Sequence, residues 1–364
     1  MSGLLDKAVA VAKGRDLDAR RLQDFLTQEL GIALGELDIK QFPGGYSNLT
    51  YLISSAEQQW VLRRAPVGTK AKSANDMGRE YTVLKGLGGH FPYAPKVILF
   101  CENEAIIGAP FYLMAYVPGL IVRCDYPQGL KTNPEFVATQ SRRFVEVLAE
   151  LHAVDFKAAG LGSLGKPENY TGRQIGGWTK RYLNALTPDA SDFTEITDWL
   201  AAHIPTESGR HSLIHNDYKM DNLVWHSQRP AELIGVLDWE LTTLGDPLMD
   251  LGATLGYWIE AKDPEDLQAI RNMPSNVPGA LTRWQLLKSY GEIAGWEVPL
   301  DNFEFYYVYG LFRRAAICQQ IYYRYYHGQA NDARFARLPQ SIAALKNQAS
   351  QVIKASPLEV FVAH

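Results

Sequence analysis

Asp217 and Asn222 lie five positions apart in the polar stretch HNDYKMDNLVW, residues 215–225, and Asp238 follows the apolar run Leu233 to Leu237. A short apolar run between polar segments reads as a buried strand, so a carboxylate, an amide and a second carboxylate are expected to gather between two strands. Phosphoryl transfer uses such a set. One carboxylate accepts the proton of an attacking hydroxyl, while an amide oxygen and a second carboxylate hold Mg²⁺ on the phosphates. In that scheme Asp217 is the base, and Asn222 and Asp238 are the metal ligands. Each residue alone reads equally well as a turn cap. Their joint occurrence ahead of GDPLMDLG, residues 245–252, is what argues for an active site.

The elements that must position this set are legible upstream. Leu17, Leu22, Phe25, Leu26 and Leu30 recur near a 3.6 spacing before Gly31, so a helix is expected from Leu17 to Leu30. Pro43, Gly44 and Gly45 then separate two strand-like runs. A glycine hairpin lets backbone amides approach phosphate oxygens, with Ser47 and Asn48 expected beside them, although most such hairpins are only turns. The strand QQWVLRRAP ends in a basic pair, and alternation along a strand leaves Arg63 and Arg64 on opposite faces. Arg63 shares the face of Val61 and is preferred. Residues Ala74 to Leu87 have helical spacing, and Pro95 to Phe100 and Ala109 to Val117 read as further strands, the second running into Pro118-Gly119. Lys70 and Lys72 are either contacts for an anionic substrate or part of a solvated loop.

Residues 215–252 resemble the catalytic and metal loops of the aminoglycoside phosphotransferase and choline kinase-like family, distant relatives of protein kinases. The kinase pattern H-R-D-x-x-x-x-N occurs as His215, Asn216, Asp217 and Asn222, and D-F-G as Asp238, Trp239 and Glu240. Asn216 replaces the Arg through which many protein kinases sense a phosphorylated activation loop, and no Ala-Pro-Glu follows, so that mode of regulation is not expected. The resemblance spans about residues 35–330 and implies an α+β, protein kinase-like two-lobe fold. Residues 1–117 would form a nucleotide-binding lobe of small antiparallel sheet plus helix, and residues 118–364 a mostly helical catalytic and substrate-binding lobe.

By the same resemblance Arg63 takes the place of the third-strand lysine, Glu80, 17 positions on, that of its helix partner, and Met114, Ala115, Tyr116 and Val117 would meet the adenine. An arginine can bind phosphate bidentately, so the function survives the exchange. His215 and Asp250 would support the catalytic loop, His152 would hold the lobe together, and Glu240 is a metal contact or a bystander. Asp246, ahead of Pro247, reads as a helix cap.

The expected reaction is ATP-dependent phosphorylation of a small-molecule hydroxyl, with ATP and Mg²⁺ as cofactors. LRRAP, REYTVL, HNDYKMDNL and VLDWELTTLGDPLMDLG resemble the branch fused to acyl-CoA dehydrogenase-like proteins, which implies a hydroxy acid or hydroxyacyl-CoA acceptor. An aminoglycoside, another amino alcohol or a sugar is the alternative, as is a nucleotide-binding pseudokinase. Polycationic aminoglycosides call for an acidic cleft, and no acidic block lies near the catalytic loop. ATP versus GTP, and monomer versus homodimer, stay open.

Composition sets outer bounds. The 364 residues, 46% hydrophobic and 21% charged, suffice for large cores. A net charge of −4 gives no general pull on nucleic acid or anionic membrane. Cys101, Cys124 and Cys318 show no metal or disulfide spacing, and no apolar run suits a membrane span or signal core; a cytoplasmic, soluble protein is expected. The aromatic C-terminal stretch, with Tyr306, Tyr309, Arg313, Tyr322, Tyr323 and Tyr326, is expected to build a wall, mostly core, near the acceptor.

Overall fold

Asp18 accepts a hydrogen bond from the Arg21 amide and so starts helix α1 (Ala19–Leu30), which stops at Gly31 in a left-handed conformation, φ +65°. The computed structural model that shows this describes residues 6–43, 48–56, 58–66, 76–206, 209–296 and 302–355. Next come β1 (Asp38–Gln41), β2 (Leu49–Ser54), β3 (Gln59–Arg64), helix α2 (Met77–Leu87), β4 (Val97–Cys101) and β5 (Phe111–Ala115). These strands form one antiparallel sheet in the order β1-β2-β3-β5-β4. Both faces are covered. Leu62, Tyr51, Ile53 and Leu113 pack with Leu22 and Leu26 of α1, whereas Val61, Tyr112 and Met114 pack with Val83, Leu84 and Leu87 of α2.

That alternation settles the arginine pair. Arg63 points with Val61 toward α2, and Arg64 points the other way, with its guanidinium 5.6 Å from the Tyr51 ring centre and 3.1 Å from the Tyr51 hydroxyl.

The remainder is mostly helical: β6 (Leu120–Ile121), α3 (Pro134–His152), α4 (Tyr170–Leu183), α5 (Thr194–Ala202), β7 (Ser212–Ile214), β8 (Leu223–Trp225), β9 (Leu233–Val236), β10 (Thr243–Gly245), α6 (Pro247–Leu255), α7 (Glu265–Gln268), α8 (Arg283–Ala294), α9 (Phe303–Tyr326) and α10 (Leu338–Lys354). Helix α3 starts where Asn133 caps it, accepting from the Phe136 amide, and Pro134 suits its first turn. Asp246 caps α6 by accepting from the Leu248 amide at 2.8 Å. Helices α6 and α9 cross at backbone contact: a Cβ on Gly252 would meet the Tyr306 carbonyl oxygen at 2.2 Å, and one on Gly310 the Gly252 oxygen at 2.1 Å.

The expected aromatic wall is only half there. Tyr306, Tyr309 and Arg313 are buried in the first half of α9, but Tyr322 and Tyr323 are half-buried and Tyr326 is 49% exposed. The helix outruns the body it packs on, and its last rings lie against one another, Tyr322 and Tyr326 being 6.1 Å apart with their planes tilted by 57°. Among the described residues no helix is long and apolar enough to cross a membrane.

Candidate active site

Strand β7 delivers His215 into the core and the chain then turns sharply at Asn216, whose φ is +65°. Such a conformation costs roughly 1–2 kcal/mol for a residue with a Cβ, and the surroundings hold it at several points. The Asp250 carboxylate accepts the amides of His215 and Asn216, both at 2.8 Å. Tyr170 donates to Asn216 Oδ1 at 3.2 Å, Asn216 Nδ2 donates to the Leu241 carbonyl at 3.0 Å, and Arg313 Nη2 donates to the Asn216 carbonyl at 2.5 Å. Burial alone would raise the Asp250 carboxyl, but hydrogen bonds from His152 and the loop amides bring it below the usual carboxylate range. His152 bridges Asp250 Oδ2 at 3.1 Å and the Tyr290 hydroxyl at 2.7 Å, a buried structural position.

Asp217, which follows, is oriented by its neighbours. Asn222 Nδ2 donates to the Asp217 carbonyl at 2.8 Å and to Oδ2 at 3.1 Å, so the amide oxygen of Asn222 remains an acceptor. Lys219 Nζ lies 3.1 Å from Asp217 Oδ2 and 3.8 Å from Asp221 Oδ2. Burial opposes charge on Lys219, but the two carboxylates outweigh it and raise the ammonium above its ordinary value. His215 spans the loop: its Nε2 faces the Leu237 carbonyl at 3.0 Å as donor, and Nδ1 accepts the Asp217 amide at 3.2 Å.

Beyond β9 the chain again takes a left-handed conformation, at Asp238 with φ +69°, and meets the sheet. Arg63 Nη2 is 3.0 Å from Asp238 Oδ1, and Nη1 is 2.9 Å from Glu80 Oε1. Burial works against the guanidinium, but Glu80 and Asp238 keep it charged. Glu240 Oε2 accepts from Asn48 Nδ2 at 2.9 Å and lies 3.9 Å from Arg63, while burial and then the Asp238 charge push its carboxyl up to about 8. Arg79, beside Glu80, donates to the carbonyls of Glu240, at 3.1 Å, and Thr242.

A cavity of about 240 Å³ opens on these groups. Val61, Met114, Ala115, Tyr116 and Val117 line it from the sheet and the segment after β5, and Val224 and Leu237 line it from below. Asn48, Arg63, Asn222 and Asp238 form a polar end, and Asp6, Arg123 and Asp221 another part of the wall. Of the site residues expected from sequence, Gly44, Gly45 and Ser47, with Lys70 and Lys72, lie outside the described residues. The others gather around this cavity and the loop beneath it. Among the described residues no three His, Cys, Asp or Glu side chains are grouped to hold a metal unaided. The donor set of an amide oxygen and a carboxylate, Asn222 and Asp238, suits a hard cation that takes its other ligands from phosphates and water.

Residues 38–287 match the model of the APH phosphotransferase enzyme family. The chain belongs to that family. It is 37% identical over 330 residues to acyl-CoA dehydrogenase family member 10 of Mus musculus, covering 89% of this chain and 30% of that protein. It is 33% identical over 346 residues to acyl-CoA dehydrogenase family member 11 of Homo sapiens, covering 92% and 43% respectively. The chain thus spans less than half the length of either relative. A solved protein of Ralstonia eutropha JMP134, provisionally assigned as an aminoglycoside phosphotransferase, superposes with a TM-score of 0.76 at 31% identity, covering 92% of this chain and 99% of that one. The fold is therefore the two-lobe, kinase-like α+β fold of small-molecule phosphotransferases.

Several residues around this site are not singled out by the motifs. Lys219, two positions after Asp217, could have been read from its spacing alone. Arg79 could not, because its partners are carbonyls more than 160 residues away in sequence. Asp6 and Arg313 lie outside the matched region. Arg313 is 3% exposed, and its guanidinium lies 5.1 Å from the Trp178 ring centre; Arg181 lies 4.6 Å from the same ring. Arg313 of α9 thereby sits beside the loop at Asn216, with Arg181 of α4 on the same ring.

Proposed function

We propose that the chain transfers the terminal phosphoryl group of ATP to the hydroxyl of a small acidic molecule, a hydroxy acid or hydroxyacyl-CoA. The observation that carries the transfer is the placement of Asp217, joined to Asn222 and Lys219, under a cavity whose polar end holds Arg63 and Asp238. The base of ATP would lie between Val61 and Val224 with its edge on residues 114–117, and the phosphates would point to Arg63. The nucleotide-binding lobe would end near residue 117.

Asp217, fixed by Asn222, accepts the proton of the acceptor hydroxyl as its oxygen attacks phosphorus and ADP departs. Arg63, kept charged by Glu80, and Lys219, beside the base, offset negative charge on the phosphates and on the group in transit. Asn222 and Asp238 would hold Mg²⁺, which when bound neutralises the phosphate oxygens and sets them in line.

The acidic acceptor is supported by relatives described as acyl-CoA dehydrogenase family members. The test is ADP release from Mg-ATP over a panel of hydroxy acids, hydroxyacyl-CoA thioesters, sugars, amino alcohols and aminoglycosides. Stimulation by the acidic compounds is expected. Stimulation by amino alcohols or aminoglycosides alone would overturn the acceptor class, and none at all with tight Mg-ATP binding would favour a pseudokinase.

A further inference from the structure

The segment before α1 lies outside the region matched to the family, yet it is tied onto the nucleotide cavity. Val9 and Gln41 exchange backbone hydrogen bonds of 2.8 Å, the Ala12 amide donates to Gln41 Oε1 at 3.2 Å, and the Arg15 carbonyl accepts from the Tyr51 hydroxyl at 2.7 Å. Upstream of these ties the Asp6 amide donates to the Gly119 carbonyl at 3.4 Å, and Asp6 Oδ1 is paired with Arg123 Nη2 at 2.8 Å. Asp6 and Arg123 both line the cavity. The Asp6 side chain is 19% exposed, and burial together with its charge raises the neighbouring Tyr116 hydroxyl.

The cavity has three chemically distinct parts. The apolar slot of Val61, Val224 and Leu237 suits a base, and the end at Arg63 and Asp238 suits phosphates. A nucleotide placed so leaves its sugar against the remaining wall. That wall carries a carboxylate, and a vicinal diol offers two donors to match the two oxygens, the pairing used by acidic residues on the ribose of dinucleotides. Arg123 takes one oxygen of Asp6; among the described residues the second oxygen has no donor. Asp221, the other carboxylate there, has Oδ2 3.8 Å from Lys219, and its Oδ1 is buried with no hydrogen-bond partner among the described residues.

We infer that Asp6, oriented by Arg123, binds the ribose hydroxyls of the nucleotide and makes the site selective for ribonucleotides. This rests on the reading of the cavity as an ATP site. The N-terminal segment then completes the nucleotide site rather than merely decorating the sheet.

The test needs no acceptor: calorimetric titration of the full chain with Mg-ADP, Mg-2′-deoxy-ADP, Mg-3′-deoxy-ADP and Mg-GDP, for the wild type, Asp6→Asn, Asp6→Ala and Arg123→Gln, with thermal unfolding to verify that each variant is folded. Loss of a hydrogen bond to a carboxylate corresponds to about tenfold or more in Kd, so the wild type should prefer ADP to the deoxy forms by that factor. The preference should fall to near unity in both Asp6 variants and shrink in Arg123→Gln. A preference that survives in Asp6→Ala overturns the inference. So does a change in the ADP to GDP ratio with the diol preference intact, which would make Asp6 a reader of the base. A wild type that binds ADP without diol preference removes this inference alone, whereas one that binds no nucleotide removes the ATP reading with it.

Discussion

Arg63 holds Glu80 at 2.9 Å with one nitrogen and Asp238 at 3.0 Å with the other, so a single buried guanidinium joins β3, α2 and the turn after β9. The contact ties the sheet to the helical body at the polar end of the cavity. Removing one partner of a buried ion pair is costly because the other stays buried and uncompensated. Glu80→Ala should lower stability by about 3–5 kcal/mol and weaken ADP binding. Urea unfolding and ADP titration read both; a loss under about 1 kcal/mol, typical of an exposed pair, would contradict the coupling.

Asp217 acts only in the chemical step of the proposed mechanism. Asp217→Ala should reduce turnover by on the order of 10²- to 10⁴-fold while ADP affinity, read by titration, changes little. Undiminished turnover would exclude Asp217 as the base.

Asp250 anchors the loop by accepting two backbone amides and His152. Asp250→Ala leaves these donors buried without an acceptor and frees the left-handed turn at Asn216. A loss of about 3–5 kcal/mol is expected together with a fall in kcat larger than any change in the affinity for ADP. A variant of full stability with unchanged kcat would show that Arg313 and Tyr170 suffice.

His215 gives the stability of the ligand-free chain a pH dependence. Burial, only partly opposed by Asp250 and Asp217, holds its imidazole below the ordinary value near 6.5. Its Nδ1 accepts the Asp217 amide, so a proton there would set donor against donor. Because the folded value is the lower one, the unfolded chain binds the proton more readily. This contribution is complete above pH about 6.5 and is lost as the pH falls toward the folded value. Melting temperatures measured from pH 7.5 downward should therefore decline, and His215→Gln should flatten the decline. An equal slope in the variant would assign the effect to other groups.

The stretch from His215 to Asp238 was legible because its contacts are local. Asp217 and Asn222 share one turn, Asp238 follows a strand that a short apolar run reveals, and period-two alternation separates Arg63 from Arg64. Caps behaved the same way, Asp246 before Pro247 being a local matter of backbone amides. The aromatic stretch was less legible: helical spacing in α9 says that one face is apolar but not where the helix leaves the body, which is why Tyr306 is buried and Tyr326 is exposed.

By itself the sequence determined the loop residues, their order and the strand register that aims Arg63, because each depends on neighbours a few positions away. Only the tertiary structure decided which distant groups close the site. Asp6 against Arg123, Arg79 on the Glu240 carbonyl and Arg313 on the Asn216 carbonyl are contacts across 117, 161 and 97 residues. They form where separately folded elements pack, and neither a hydrophobic period nor a turn signal records which of many exposed charges will lie beside a cavity once the packing is complete.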